Sequence, residues 1–202
     1  MATTKPLLLG VTGGIGSGKS LVCRIFQVLG TPVYDSDLRA KQLMVEDEAL
    51  IGQIKTAFGE QSYSNGTLNR QYLAEKVFSD SEKLELLNSL VHPAVGRDFR
   101  IWVEGNSSHS YLLKEAALIF ETGSNKSLDH TILVSAPQQL RIARVLGRDP
   151  HRNEEQVKAI ISNQWVDEKR RPLADFEIVN DEKSMLIPQV LSIHSRFSGR
   201  KS

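Results

Sequence analysis

An α/β fold, with a parallel sheet covered by helices on both faces, is the class that this 202-residue sequence predicts. Three observations carry it. Short apolar runs at residues 7–11, 111–113 and 131–135 alternate with stretches of helical periodicity. The first run passes through a glycine-rich loop directly into a helix. No internal repeat, low-complexity tract or Gly/Ser linker divides the chain, so one compact unit is the simplest organisation.

Residues 7–11 read as a strand and residues 20–29 as a helix, with Val22, Ile25, Phe26 and Leu29 on one face. Thr31-Pro32-Val33-Tyr34 is a short extended piece ending in Asp35-Ser36-Asp37, and the helical pattern resumes from about Leu38. Residues 40–105 are mostly helical in pattern: Leu50, Ile51, Ile54 and Phe58 recur at i, i+1, i+4 and i+8. Asn65-Gly66 marks a turn. Ser79 or Asp80 can cap a helix through Leu90, and Pro93 suits the first turn of the next helix, where its missing amide hydrogen costs nothing. The strands at 111–113 and 131–135 are followed by helices over 137–146 and from 153 to about 171, the latter with Asn153 and Gln156 at capping-box spacing. An apolar run at 176–179 and a helix over 187–197 complete the pattern.

Charge and cysteine content narrow the function. Lys plus Arg number 25 against 24 Asp plus Glu, a net charge of +1. That balance argues against a protein built to grip nucleic acid or an anionic membrane, although a local basic cluster can still bind phosphates. The single cysteine, Cys23, has no intrachain partner, and the first residues lack an apolar run long enough for a secretory segment or a membrane span. A soluble, reduced, cytoplasmic protein is the expectation.

Gly13-Gly14-Ile15-Gly16-Ser17-Gly18-Lys19-Ser20 satisfies the pattern G-x-x-x-x-G-K-[ST], with a strand before it and a helix after it. Glycines let backbone amides converge on phosphate oxygens, the helix N-terminus adds its positive end, Lys19 can bridge the outer phosphates and Ser20 can ligate Mg²⁺. A plain strand-to-helix turn would require neither Gly-Lys-Ser nor four glycines in six residues. A nucleoside triphosphate site is therefore expected. The guanine-reading N-K-x-D is absent, since Asn125-Lys126-Ser127 is followed by Leu128. The run at 131–134 leads into Ser135-Ala136-Pro137 rather than the Asp, or Asp-Glu, of a motor ATPase, so switches and motors lose ground together.

Asp35 and Asp37 sit two apart after the second predicted strand, so in extended geometry both side chains point the same way, toward the ligand edge of the sheet. Two carboxylates can divide the work of phosphoryl transfer, one holding the metal and one accepting the attacking hydroxyl's proton. Capping of the next helix is the plain alternative. Arg141, Arg144 and Arg148, at i, i+3 and i+7, form a helical stripe, with Arg152, Lys169, Arg170 and Arg171 beyond. Such a stripe either closes over a triphosphate or lies in solvent, paired with Asp149, Glu154 and Glu155.

The combination of Thr12 to Ser20 (TGGIGSGKS), Asp35-Ser36-Asp37, Asn65-Gly66-Thr67-Leu68-Asn69-Arg70, Leu90-Val91-His92-Pro93, Gly147-Arg148-Asp149 and Ala174-Asp175-Phe176-Glu177-Ile178-Val179-Asn180 resembles the dephospho-CoA kinase family over about residues 7–197. The resemblance implies a P-loop NTPase type three-layer α/β/α core with a five-stranded parallel sheet, at about 1–38 and 108–202. It also implies a helical substrate-binding domain at about 39–107 that holds the CoA precursor, and a small lid at about 141–172. It implies ATP and Mg²⁺ as cofactors and 3′-dephospho-CoA as the other substrate, with no nucleic-acid or membrane partner. Gly14, Ile15, Gly16, Ser17, Gly18, Lys19, Ser20 and Leu21 would bind the nucleotide. Asp37 would face the ribose 3′-hydroxyl, with Lys19, Arg144 and Arg148 also catalytic, and Ser20 and Asp35 would lie at the metal. Thr12, Asp37, Arg70 and His92 would meet the substrate, although His before Pro is often a packed or capping side chain. The chain departs from the family pattern at Leu21, where Thr is frequent, at Lys41, where Arg or His is usual, and in Ala116-Ala117-Leu118-Ile119-Phe120-Glu121, which lacks a proline. Tyr34, Trp102, Trp165 and Cys23 read as packing residues.

Two other functions remain in view. A shikimate-type small-molecule kinase also places D-x-D after its second strand, but a small polyol does not need a helical insert as long as residues 40–105. A nucleotide-controlled binding protein would bind ATP tightly without acceptor-dependent ADP release.

Overall fold

The structure, a computed structural model, describes residues 5–78 and 80–199. Its elements begin β1 (Leu7–Thr12), α1 (Lys19–Val28), β2 (Val33–Asp35), α2 (Ser36–Glu46), α3 (Glu48–Phe58), β3 (Tyr63–Ser64), β4 (Thr67–Leu68), α4 (Arg70–Phe78) and α5 (Ser81–Gly105). They continue β5 (Tyr111–Glu115), β6 (His130–Ser135), α6 (Gln138–Arg148), α7 (Glu154–Ser162), α8 (Asp167–Arg170), β7 (Phe176–Val179) and α9 (Leu186–Ser198). Two compact units result, Met1–Asp35 with Asn106–Ser202, and Ser36–Gly105.

The first unit is built on a five-stranded sheet in the order β2-β5-β1-β6-β7. All its pairings are parallel, with Leu9 opposite Leu113 and His130, Asp35 opposite Glu115, and Val134 opposite Ile178. Alternation along each strand decides which side chains meet. Leu9 and Val11, Tyr111 and Leu113, Ile132 and Val134, and Ile178 project onto one face, where Val22, Cys23 and Phe26 of α1 and Val190, Ile193 and Phe197 of α9 cover them. Each fully buried aliphatic or aromatic side chain there contributes about 1.5–3 kcal/mol. On the other face, Leu128 and Ile119 from the β5–β6 connection fill the space that a Cβ at Gly10 would need.

The second unit is helical, with α2, α3 and α4 each packed on α5. Leu50, Ile54 and Phe58 are its buried stripe on α3, as the periodicity predicts, and Asp47 caps that helix by accepting the Leu50 N–H at 3.0 Å. A fork of hydrogen bonds from Arg39 to Asp98, at 3.0 and 2.7 Å, ties α2 to α5. Asn65 and Gly66, both at positive φ, form the expected turn, which closes the short antiparallel β3–β4 pair.

Three expectations need correction. The helix capped near residue 80 does not stop at Leu90: α5 runs for 25 residues through Pro93. Asp80 is its cap, accepting from Lys83 N at 3.1 Å, while Ser79 lies outside the described residues. The apolar face of Val91, Ala94, Val95, Phe99 and Val103 continues across the proline, and its burial outweighs one lost helical hydrogen bond. The helix expected from 153 to about 171 is two: α7 begins with the expected Asn153–Gln156 capping box, but tertiary bonds to Gln164 and the Trp165 amide divert the chain before α8. Finally, α2 begins at Ser36, so Asp37 stands in its first turn and is not extended. Pro93→Ala restores a donor to the Ser89 carbonyl and should stabilise the chain by about 1–3 kcal/mol in thermal denaturation. An unchanged melting temperature would mean that this carbonyl already has another partner.

Candidate active site

Parallel strands bring all their C-termini to one edge, and ligands of α/β sheets bind there. This edge gathers the loop after β1, Asp35 at the end of β2, Glu115 at the end of β5 and Asn180 just past β7. Residues 13–18 fold back so that the Ser17 N–H reaches Gly14 O at 3.1 Å, and Gly18, at φ 97°, turns the chain into α1. The first-turn amides of this ten-residue helix therefore point out of the loop. Lys19 heads the helix, and its Nζ donates to the Gly13 and Gly14 carbonyls at 2.9 and 3.3 Å. Phosphate oxygens are stronger, charged acceptors for the same ammonium.

The loop's outer surface is held by side chains. Ile15 N–H donates to Gln164 Oε1 at 2.8 Å, and Ile15 O accepts from Arg141 Nε at 2.9 Å. Asn180 Nδ2 donates to Ser17 O at 2.8 Å. Gly14 is glycine because of close approach: a Cβ there would overlap the Arg141 guanidinium. Behind Gln164, Glu121 Oε1 accepts from the Trp165 N–H at 3.1 Å and pairs with the fully buried Arg170, which also bonds Asp167 at 3.4 Å.

The arginine stripe thus separates into three environments. Arg141 is buried, and burial lowers its pKa from the ordinary value, with Asp167 opposing the shift. Arg144 is half-buried and donates to Asn180 O and Oδ1 at 3.2 and 3.3 Å. Arg148 is exposed, forking onto Asp149 with two bonds of 2.9 Å, and Arg152 bonds the same carboxylate at 3.3 Å. Pairing with Asp149 matches the solvated-face alternative at Arg148 and Arg152, and Arg141 belongs to neither predicted role.

Ser20, exposed at the first turn of α1, donates to Glu115 Oε1 at 2.8 Å. Asp35 is Glu115's neighbour in register; Glu115 lies within electrostatic range of Lys19, and both carboxylates lie within range of the Cys23 thiol. Burial raises the Glu115 pKa and Asp35 adds to this, while the Ser20 hydrogen bond and Lys19 oppose it. Cys23 is a buried packing residue whose thiol burial pushes up. Ser20, Asp35 and Glu115 offer hydroxyl and carboxylate oxygens, a donor set that suits Mg²⁺ completed by phosphate oxygens. Sequence reasoning passed over Glu115 because Lys114 interrupts the apolar run before it; the signal available was a carboxylate ending a strand.

The remaining candidates lie as follows. Thr12 is fully buried and its hydroxyl donates to Ala117 O at 3.2 Å. Leu21 is exposed one residue beyond Ser20. In the helical unit, Asp37, Lys41, Arg70 and His92 are all exposed, and His92 lies mid-helix in α5. Tyr34 is buried, Trp102 stacks on Phe99 with ring centroids 6.0 Å apart, and the Trp165 ring carries the Lys169 ammonium 3.6 Å from its centroid.

A phosphate loop on a five-stranded parallel sheet, with carboxylates ending neighbouring strands, defines a phosphotransferase of the phosphate-loop kinase class. The family model for dephospho-CoA kinase matches residues 7–185, and the chain belongs to that family. A dephospho-CoA kinase from Salinibacter ruber is 43% identical over 176 residues, covering 86% of this chain and 88% of that one. A solved structure from Thermus thermophilus superposes with a TM-score of 0.83 at 32% identity, over 97% of this chain and 100% of that one. Dephospho-CoA kinase from Campylobacter jejuni shares the fold, with a TM-score of 0.69 at 24% identity over 95% and 96% of the two chains.

Because the raised pKa of Glu115 makes its ionised form costly, its stabilising contribution is present below the ordinary carboxylate pKa and lost as pH rises through the folded value. Glu115→Gln supplies an amide oxygen in place of the carboxylate oxygen that accepts from Ser20, and removes the charge. The ligand-free variant should melt a few degrees higher near neutral pH, and stabilisation by Mg²⁺ plus nucleotide should weaken. A lower melting temperature would show that the charge is paired better than its burial implies.

Proposed function

We propose that this chain transfers the γ-phosphoryl group of ATP to the ribose 3′-hydroxyl of 3′-dephospho-CoA, giving ADP and CoA. The observation that carries this is the intact loop, in which Lys19 and the α1 amides face the phosphate position while Ser20 is fixed by Glu115 at 2.8 Å. In this reading residues 14–21 bind the nucleotide, with Lys19 on the outer phosphates. Ser20, Asp35 and Glu115 hold Mg²⁺, which neutralises charge on the phosphates when bound. Asp37 accepts the hydroxyl proton. The helical unit supplies the acceptor-binding surface, with Arg70 and His92 as its polar contacts, and Thr12 shapes the approach to the loop. Of the lid expected at about 141–172, Arg144 and Arg148 meet the transferred phosphate, Arg148 exchanging Asp149 for it, while Arg141 and Gln164 stay bonded to Ile15. A cytoplasmic setting fits the ATP requirement and the reduced, buried thiol; among the described residues no helix is long and apolar enough to cross a membrane.

Incubation with Mg-ATP and, separately, dephospho-CoA, adenosine, AMP and shikimate, followed by mass spectrometry, should give phosphorylated product from dephospho-CoA alone. Transfer to another acceptor in its place overturns the proposal. Lys19→Ala should lower turnover by about 10²–10³ with the fold intact. Asp37→Asn should lower it by about 10²–10⁴ with Mg-ATP affinity almost unchanged. Near-normal turnover in either variant refutes the corresponding role.

A further inference from the structure

We infer that Arg141 and Gln164 are positioning residues that grip Ile15 of the phosphate loop, one at its C=O and the other at its N–H, and hold the loop in its nucleotide-receiving shape. The inference rests on the kinase reading above.

A loop that turns its amides toward phosphate gains nothing from the sheet ladder, so its shape depends on bonds made from outside. Ile15 is the one residue of residues 13–18 whose N–H and C=O are both taken by side chains in the described hydrogen bonds, at 2.8 Å from Gln164 Oε1 and 2.9 Å from Arg141 Nε. The two grips come from different segments, α6 and the turn after α7. Each is itself anchored. The Arg141 guanidinium lies against Gly14 where a Cβ would otherwise be, and the Arg141 carbonyl closes on Gly16 in the same way. Gln164 adjoins Trp165, whose amide is held by Glu121, and Glu121 is held in turn by the fully buried Arg170.

The chemistry of the pair fits positioning. Arg141 is buried and its Nη2 has no hydrogen-bond partner among the described residues. A charge kept dry and partly unsatisfied is a poor source of stability, so its bond to the loop carbonyl is its evident use. Gln164, with a neutral amide, accepts from Ile15 without bringing a negative charge toward the triphosphate. Because the loop also presents the Gly18 and Lys19 region to the phosphates, slack backbone at Ile15 would raise the cost of ordering the loop on binding, at the nucleotide and not at the acceptor.

The test uses the full chain with Gln164→Met, Arg141→Met, their double variant and Arg141→Lys. Affinity for a non-hydrolysable ATP analogue with Mg²⁺ is measured by calorimetry, beside KM for ATP, KM for dephospho-CoA, kcat and amide exchange of the peptide spanning residues 13–18. Each Met variant should weaken the analogue and raise the ATP KM about tenfold, with faster loop exchange. The acceptor KM and kcat at saturating ATP should stay near wild type. Arg141→Lys, which keeps a donor, should recover part of the loss, and the double variant should lose less than the product of the single effects, because both act through the backbone of one residue. Unchanged analogue affinity in folded Met variants, equal changes in both KM values, or full multiplicativity would overturn the inference. Absence of transfer from wild-type protein would instead refute the kinase reading, and the analogue affinity and exchange measurements would still decide the role of the grip.

Discussion

A phosphate loop must keep its ligand-facing amides out of helix and sheet pairing until a ligand arrives, and the rest of the first unit is arranged around that constraint. Backbone groups that face the ligand cannot also be tied into a helix or sheet, so the loop's other groups carry the burden of fixing its shape. Here the fixing comes from three directions: Arg141 and Gln164 at Ile15, and Asn180 at Ser17. Each comes from a separate segment, so the loop stays shaped only if α6, the end of β7 and the turn after α7 are correctly placed around it. The buried Glu121–Arg170–Asp167 group serves that placement. Breaking one partner would strand a charge that costs about 3–5 kcal/mol.

The same logic explains why sequence patterns revealed the ligand's contacts better than the scaffold's. Gly13 to Ser20 announces itself because phosphate chemistry limits each position to a few residue types. Strand runs and α1 are legible because the sheet buries alternate positions and α1 buries one stripe. Gln164 carries no such signal. An amide in a helical-looking segment is visible as a tertiary partner only once Ile15 lies beside it, and its hydrogen bond is one reason the helix expected over 153–171 breaks. Pro93 misled in the opposite sense, since a local rule for starting helices could not register the buried face that carries α5 across it.

The strand-end acids show a related limit. Asp35 and Asp37 appear equivalent under a period of two, yet the strand ends at Asp35 and the helix starts at Ser36, so one is a sheet residue and the other a first-turn helical residue. Asp35's counterpart in the sheet is Glu115, eighty positions away in the chain and adjacent only because β5 inserts between β1 and β2. Strand order, which no local pattern encodes, decided which acids share an edge.

The arginines of α6 give the clearest case of one spacing with several physical meanings. At i, i+3 and i+7 they share a stripe, but the stripe runs from the buried end of the helix to its exposed end, and exposure sets what each cation can do. Arg141, nearest the sheet edge, meets the Ile15 carbonyl in a dry setting, where a fixed hydrogen bond is strong and release is costly. Arg148 meets water and Asp149, where the pair is weak and exchange for another anion is cheap. A residue that must hold the loop belongs at the first position, and a residue that must come and go with substrate belongs at the last. Arg144 lies between them, bonded to the same Asn180 that anchors Ser17, so its guanidinium is already part of the frame that shapes the loop.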